Sequence, residues 1–141
     1  MNKHNGQKKL VSIGLPTYNR AYCLRNAIDC LLSQTYANFE LIVSDDGSTD
    51  ATQKICEEYA RHDKRVRYIR NEKNLGLAAN FNKLLKEAKG EYFIWTPDDD
   101  WWDKTFIEKL VYVLENNKGY DVAMSHFSDH YESREGRVFK H

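Results

Sequence analysis

Short apolar runs alternate with helical stripes of apolar residues along this chain, and the alternation limits the folds that are open to it. Five runs have the length and composition of buried strands. They are Leu10–Leu15, Phe39–Ser44, Val66–Ile69, Glu91–Trp95 and Asp121–Ser125. Between them, apolar residues recur every three or four positions, as on helices with one buried face. The pattern predicts an α/β fold: right-handed βαβ units in a mainly parallel, Rossmann-like sheet with helices on both faces, in three α/β/α layers.

Length and charge restrict the class of protein further. The 141 residues suit a single domain over residues 1–141, large enough to bury its own core. Lys+Arg and Asp+Glu both number 21, so the net charge is zero and gives no electrostatic case for a nucleic-acid partner.

Targeting signals and disulfides are not indicated by the sequence. Met1–Lys9 is polar, and the chain contains no run of 18 apolar residues. Cys23, Cys30 and Cys56 lack the spacing of metal ligands and are interpreted as reduced thiols. We expect a cytoplasmic protein, and peripheral attachment to a membrane stays open.

Polar clusters follow three of the predicted strands. They are Thr17–Arg20, Asp45–Ser48 and Asp98–Asp100. Because ligands of parallel sheets bind beyond the carboxyl ends of the strands, we expect these clusters to meet at one edge.

The triple carboxylate Asp98, Asp99 and Asp100 comes directly after the fourth predicted strand. Adjacent carboxylates repel one another, and burial favours the neutral acid unless a positive partner lies nearby. Mn²⁺ or Mg²⁺ would be such a partner, because both prefer hard oxygen ligands and are often also held by phosphates. A solvated acidic loop or a group of helix caps explains the same residues, so the cluster alone leaves both interpretations open.

The other clusters offer complementary chemistry. Tyr18 presents a ring for a base, Arg20 a charge for phosphate, and Asp46 a carboxylate for a base N–H or ribose hydroxyls. An ordinary strand-to-helix turn explains the first two equally well. Asn80 either faces this edge or caps its helix. Asp50 is expected to be the N-cap of the second helix, with Gln53 as its capping-box partner.

Six segments, in order and spacing, resemble the family-two glycosyltransferases with the GT-A fold. They are Val11–Arg20, Leu32–Tyr36, Glu40–Asp50, Asn74–Gly76, Gly90–Tyr92 and Asp98–Trp101. The resemblance implies metal-dependent transfer of a sugar, with inversion, from a nucleotide-diphosphate sugar to an acceptor hydroxyl. The implied donor is a UDP- or GDP-sugar, with a UDP-sugar favoured, and the implied metal is Mn²⁺ or Mg²⁺. The implied acceptor is a saccharide or a lipid-linked molecule, in polysaccharide or glycoconjugate synthesis.

The resemblance also assigns roles to residues. It implies that Pro16, Thr17 and Tyr18 line the base pocket, that Arg20 lies near the nucleotide, and that Asp46 binds the base. Asn80 is included in the expected nucleotide site because of its position at the same edge. The Asp98–Asp100 run stands where the family has its Asp-X-Asp motif. In one register Asp98 contacts ribose, Asp99 binds the metal and Asp100 is a third candidate ligand; in the other, Asp98 binds the metal and Thr96 replaces the first Asp.

The acceptor half and catalytic base of the family follow the fifth strand, so the resemblance implies a base beyond His141. Asp129, Glu132 and Glu135 come too early for that role. We therefore expect the donor-binding half of an enzyme, shortened at the C-terminus and inactive alone, with apolar surface that favours homo-oligomers. A non-catalytic nucleotide-sugar-binding module is the alternative.

Other α/β classes fit less well. A phospho-acceptor receiver domain would need a Lys at the end of the fifth strand, where Ala123–His126 has none. No Gly-x-Gly-x-x-Gly follows the first strand, which argues against a dinucleotide oxidoreductase. A sugar-phosphate nucleotidyltransferase would carry a Gly-rich, Arg-containing loop there, and Pro16–Arg20 is not one.

Overall fold

A computed structural model describes residues 8–125, 130–132 and 138–140 of the chain. Its elements, in chain order, are β1 (Val11–Thr17), α1 (Ala21–Leu32), β2 (Phe39–Asp45), α2 (Thr52–His62), β3 (Val66–Arg70), α3 (Leu77–Glu87), β4 (Tyr92–Trp95), α4 (Phe106–Asn116), β5 (His130–Glu132) and β6 (Val138–Lys140). β1 to β4 form one parallel sheet in the order β3-β2-β1-β4, and β5 pairs antiparallel with β6. The predicted α/β fold with a parallel sheet is confirmed.

The two faces of the sheet carry different helices. Alternate residues of β1, such as Ile13, point into the main core, which includes apolar residues of α1, α2 and α4. On the opposite face Gly14 lets α3 approach, since a Cβ there would lie 3.3 Å from the Cβ of Leu84 and 2.8 Å from the ring of Phe93. The predicted three-layer arrangement is therefore confirmed.

β1 continues through Pro16, where the sequence predicts that the strand stops. Pro16 pairs in register with Ser44 of β2, whereas the pairing of β1 with β4 ends at Gly14 and Trp95. The carbonyl of Gly14 accepts the N–H of Thr96 on the β4 side. Pro16, two residues further on, faces the same side after β4 has ended, so its missing N–H leaves no ladder bond unmade.

The predicted fifth strand at Asp121–Ser125 is wrong. These residues have no regular secondary structure, and Val122 and Met124 are 74% and 88% exposed. Within the described ranges no strand lies beside this segment, and an isolated strand would leave its backbone groups unpaired. The short pair β5–β6 was not predicted.

The capping box predicted for α2 is not formed either. Asp50 Oδ1 accepts the N–H of Thr52 at 2.9 Å, and Oδ2 accepts the N–H of Ala21 at 3.1 Å. Gln53 instead donates to Glu57. Asp50 therefore joins the first residues of α1 and α2, which sequence spacing within one helix could not indicate.

Among the described residues, no helix is both long enough and apolar enough to cross a membrane. Of the early candidates for a base, Asp129 and Glu135 lie outside the described residues, as does His141. Glu132 is in β5.

Candidate functional site

A cleft of about 410 Å³ opens at the carboxyl ends of the parallel strands. Its lining residues are Pro16, Thr17, Tyr18, Arg20, Asp46, Asn74, Leu77, Asn80, Phe81, Pro97, Asp98 and Asp99. Every residue that the sequence predicts for the site lines this cleft except Asp100. The structure therefore brings together groups that are up to about 80 residues apart in the chain, as the parallel topology requires.

The loop after β1 is fixed by the loop after β2. Asn19 has a positive φ of 53°, a conformation that Asn tolerates better than most residues. Its backbone N–H donates to Ser48 Oγ at 2.9 Å, and its Oδ1 accepts the N–H of Thr49 at 2.8 Å. These bonds hold the segment that carries Tyr18 and Arg20 in the wall of the cleft.

Thr17 places a buried hydroxyl group in the wall of the cleft. Its side chain is almost fully buried in the cleft wall, and its Oγ1 has no hydrogen-bond partner among the described residues. Buried polar groups in native proteins are nearly always paired, because an unpaired one costs about 1–3 kcal/mol. Apart from the nearby Asp98 carboxylate, whose pKa it lowers, this hydroxyl is left for a group that enters the cleft.

Asp98 and Asp99 differ in their surroundings. The Asp98 side chain is 11% exposed and that of Asp99 is 50% exposed. Burial raises the pKa of Asp98 above its usual value, and the adjacent Thr17 and Arg20 side chains offset part of this rise. Arg20 is close to both: its Nε lies 3.9 Å from Asp98 Oδ1, and its Nη1 lies 3.9 Å from Asp99 Oδ2.

Asp45 and Asp46, though adjacent, face opposite sides of the sheet. Asp45 is fully buried, and it accepts hydrogen bonds from the N–H of Ser48 at 2.8 Å and the hydroxyl of Tyr68 at 2.9 Å. Arg70 Nε lies 3.4 Å from its Oδ2. These partners explain Asp45 as a structural residue, whereas Asp46 lines the cleft.

Asp46 also holds the loop before α3. Its Oδ1 accepts hydrogen bonds from Asn71 Nδ2 at 2.7 Å and the N–H of Leu75 at 2.9 Å, while Oδ2 accepts the N–H of Gly76 at 2.9 Å. A carboxylate has about four acceptor positions, so three are used before any ligand binds. The loop-anchoring role was not predicted from the sequence.

Asn80 lines the cleft but does not cap α3. The N-cap residue is Gly76, at a φ of 89°, and as a glycine it has no side chain that could cap the helix. Asn80 Oδ1 accepts the hydroxyl of Ser44 at 2.6 Å, and Nδ2 donates to the Ser44 carbonyl at 2.8 Å. Asn80 thus ties α3 to β2 at the base of the cleft. Of the two positions considered for Asn80, it lies at the ligand edge of the sheet and does not cap the helix.

Four lining residues were missed by the sequence argument. They are Asn74, Leu77, Phe81 and Pro97. Helical periodicity favours Leu77 as part of a buried stripe, but it is 74% exposed. Its position in the first turn of α3, at the ligand edge of the sheet, was the signal that could have revealed it.

The tryptophans around the acidic segment have separate roles. Trp95 stacks on Phe81 with ring centroids 6.1 Å apart, and Trp102 packs on Phe106 at 4.9 Å. The backbone N–H of Trp102 donates to Cys30 Sγ at 3.1 Å, and the same thiol lies 3.0 Å from the backbone carbonyl of Trp102. The segment that carries Asp98 and Asp99 is thereby fastened to α1.

The metal role expected for Asp98 or Asp99, with Asp100 as a third candidate, stays a prediction. Within the described part of the chain, no three His, Cys, Asp or Glu side chains are arranged to hold an ion. Asp98 and Asp99 line the cleft, whereas Asp100 does not. Mg²⁺ is commonly held by one or two carboxylates plus substrate phosphates, and Asp98 and Asp99 fit that smaller role. Their hard oxygens and the unpaired Thr17 hydroxyl share one cleft.

Residues 12–140 match the family model for glycosyl transferase family 2. Glycosyltransferase GlyA of Streptococcus pneumoniae serotype 4 is 35% identical over 131 residues, which is 93% of this chain and 18% of the relative. Glycosyltransferase GlyG of the same organism is 36% identical over 125 residues, or 89% of this chain and 41% of the relative. TuaG of Bacillus subtilis (strain 168), named for teichuronic acid biosynthesis, is 35% identical over 111 residues, or 78% and 44%.

Two solved structures share the fold. Staphylococcus aureus TarS 1-349 in complex with UDP-GlcNAc superposes with a TM-score of 0.71 at 26% identity, over 85% of this chain and 38% of that one. The mannosyltransferase PcManGT from Pyrobaculum calidifontis, in complex with GDP-Man and Mn²⁺, gives 0.64 at 26% identity, over 70% and 30%. The chain spans less than half the length of each of these relatives and solved chains. The chain belongs to glycosyltransferase family 2 and has the GT-A fold.

Proposed function

We propose that this chain forms the donor site of a glycosyltransferase that transfers a sugar from a nucleotide-diphosphate sugar to an acceptor hydroxyl. The observation that carries the proposal is the single cleft into which β1, β2 and the segment after β4 all bring polar groups. The solved relatives with UDP-GlcNAc and with GDP-Man support this class of donor. TarS, the better superposition of the two, favours a UDP-sugar.

Each wall of the cleft suits one part of such a donor. Tyr18 offers an aromatic face for the base, and the buried Thr17 hydroxyl offers a donor and an acceptor beside it. The guanidinium of Arg20 suits the diphosphate. We assign the ribose hydroxyls to Asp98, the more buried carboxylate, and the metal ion to Asp99, the more exposed one.

Metal dependence rests on Asp99, with Asp98 as the second ligand or the ribose contact. A Mn²⁺ or Mg²⁺ ion held by these residues would neutralise the charge of the departing nucleotide diphosphate. The protein would contribute position and electrostatic stabilisation.

The transfer step also needs a base that activates the acceptor hydroxyl. For an inverting reaction this base lies opposite the leaving nucleotide, and the carboxylates of the cleft wall are already assigned to the donor. We therefore propose that the base and the acceptor groove lie outside the described residues. A saccharide or lipid-linked acceptor in polysaccharide synthesis is consistent with the name of TuaG. The cytoplasmic location and the homo-oligomer stay predictions.

A non-catalytic nucleotide-sugar-binding module is the second candidate. The composition of the cleft favours it, since no carboxylate among the lining residues remains for the acceptor. The two candidates share the donor site and differ only in whether sugar is transferred when an acceptor is present.

Calorimetry with UDP and GDP, each with Mn²⁺ and with a chelator, tests the donor site. We expect binding to weaken at least about tenfold without metal, which is roughly 1.4 kcal/mol. Asp99→Asn should remove most of this metal dependence, whereas Asp121→Asn, an exposed residue outside the cleft, should not change it. Equal affinity with and without metal would contradict the metal role. A transfer assay with radiolabelled donor sugars and an acceptor panel then separates enzyme from binding module.

A further inference from the structure

The guanidinium of Arg20 lies where it balances both carboxylates of the acidic segment. It is 3.9 Å from Asp98 Oδ1 through Nε and 3.9 Å from Asp99 Oδ2 through Nη1. It also donates to the hydroxyl of Tyr22 and lines the cleft. One cation thus faces the two side chains that suit a divalent metal.

A divalent ion bound by Asp98 and Asp99 would have to share this space. Oxygen ligands contact such ions at about 2.0–2.6 Å, which would leave the ion close to a guanidinium that contacts the same oxygens. Repulsion between a double and a single positive charge at that separation opposes joint occupancy. Metal binding is therefore easier once the guanidinium has turned away from these two oxygens.

We propose that Arg20 is a built-in counter-cation that keeps metal affinity low in the donor-free cleft and moves to the diphosphate when the nucleotide and the metal enter together. This inference rests on the proposed function, since the diphosphate provides the new partner. It makes Arg20 a positioning residue that couples metal binding to donor binding.

The backbone of Arg20 is fixed, and its side chain bonds to the exposed Tyr22 hydroxyl, but its contacts with Asp98 and Asp99 are weak. Its N–H donates to Thr52 Oγ1 at 3.2 Å, and its carbonyl accepts the N–H of Cys23 and Leu24 in the first turn of α1. The side chain is 41% exposed. Its 3.9 Å contacts are well beyond the 2.7–2.9 Å or so of a charge-assisted hydrogen bond. The two carboxylate contacts of Arg20 can therefore be exchanged for others at little cost.

Arg25 in α1 is a matched control for Arg20, which is the N-cap residue of that helix. Its side chain is 47% exposed and pairs with Glu58 of α2 at 2.7 Å, and it does not line the cleft. Arg20→Met and Arg25→Met therefore remove the same charge from similar solvent exposure, but only the first removes it from beside Asp98 and Asp99.

The test measures Mn²⁺ alone and then UDP at saturating Mn²⁺, by electron paramagnetic resonance and calorimetry. Arg20→Met should bind Mn²⁺ alone about 3- to 10-fold more tightly, because the competing cation is gone. It should bind UDP about tenfold or more weakly, because a charge-assisted bond to phosphate is lost. Arg25→Met should match wild type in both measurements, and Arg20→Lys should restore the low affinity for Mn²⁺ alone.

Unchanged or weaker binding of Mn²⁺ alone by Arg20→Met would overturn the inference, and circular dichroism melting checks that the variant is folded. Tighter Mn²⁺ binding with unchanged UDP binding would overturn the handover to the diphosphate. The wild-type protein tests the proposed function separately: if it binds neither UDP nor GDP with Mn²⁺, the donor site is wrong whatever Arg20→Met does with Mn²⁺ alone.

Discussion

The N–H of Gly76 donates to Asp46 Oδ2 at 2.9 Å, so the residue that follows β2 fixes the residue that precedes α3. Asp46→Asn keeps the shape of the side chain but turns one acceptor into a donor. We expect a loss of about 1–3 kcal/mol in the free energy of unfolding, because one backbone N–H is left facing another donor. UDP binding should weaken as well, because the loop of Leu75 and Gly76 borders the cleft.

Urea denaturation and calorimetry measure the two effects of Asp46→Asn, with Asp121→Asn as the surface control. Weaker UDP binding at unchanged stability would mean that Asp46 acts on the base alone. Lower stability at unchanged affinity would make it purely a structural anchor.

Glu40 gives a prediction for pH. Burial pushes its pKa upward, but hydrogen bonds from Ser12, from the N–H of Lys89 and from Arg67 outweigh this and hold the pKa below its usual value. The unfolded chain therefore binds this proton more tightly than the folded one, so the charge stabilises the fold above about pH 4.3 and this contribution fades as the pH falls further.

Glu40→Gln should lower the free energy of unfolding by about 1–3 kcal/mol at pH 7, and the deficit should shrink below about pH 4. Urea titrations of both proteins from pH 7 down to about pH 2 measure it. A deficit that stays constant with pH would show that shape, and not charge, matters at this position.

Gly47 is predicted to be intolerant of any side chain. Its φ is +79°, and a Cβ there would lie 2.9 Å from the backbone carbon of Lys73. Gly47→Ala should destabilise by about 1–3 kcal/mol and displace the loop that Asp46 holds. Gly119→Ala isolates the backbone term, since Gly119 has a φ of +96° and open space around its Cβ position. Equal losses in thermal melts of both variants would contradict the predicted clash.

Cys30 is predicted to support the metal-binding segment from behind. Cys30→Ala leaves the N–H of Trp102 without its 3.1 Å acceptor, which should cost about 0.5–1.5 kcal/mol in stability. UDP binding with Mn²⁺ should weaken, because Asp98 and Asp99 lose this restraint. Cys30→Ser keeps a donor and an acceptor and should restore part of the affinity. Calorimetry that finds Cys30→Ala equal to wild type would exclude this support.

The convergence of the site could be predicted because it depends on topology alone. Parallel strands end at one edge, so Thr17, Asp46 and Asp98 had to meet once the alternation of strands and helices was recognised. The roles of adjacent residues could not be predicted in the same way. Asp45 and Asp46 have different roles because their hydrogen-bond partners, Tyr68 and Gly76, come from distant parts of the chain.

The prediction of a fifth strand failed for a related reason. Asp121–Ser125 has a strand-like composition, but a strand also needs a neighbour, and composition does not supply one. Adjacency in sequence likewise did not place Asp100 in the cleft beside Asp98 and Asp99. Arg20, in contrast, was expected near a phosphate, and only the structure revealed its contacts with Asp98 and Asp99.

The order of the sheet has a kinetic consequence. β1 first meets β2, with Ser12 and Glu40 only 28 residues apart, but its other neighbour β4 arrives from much further along the chain, as the 81-residue separation of Leu10 and Glu91 shows. Contacts of long sequence separation close late and slow the search for the native state. The segment with Asp98 and Asp99 follows β4, so the ligand edge of the sheet is completed only after this late contact has formed.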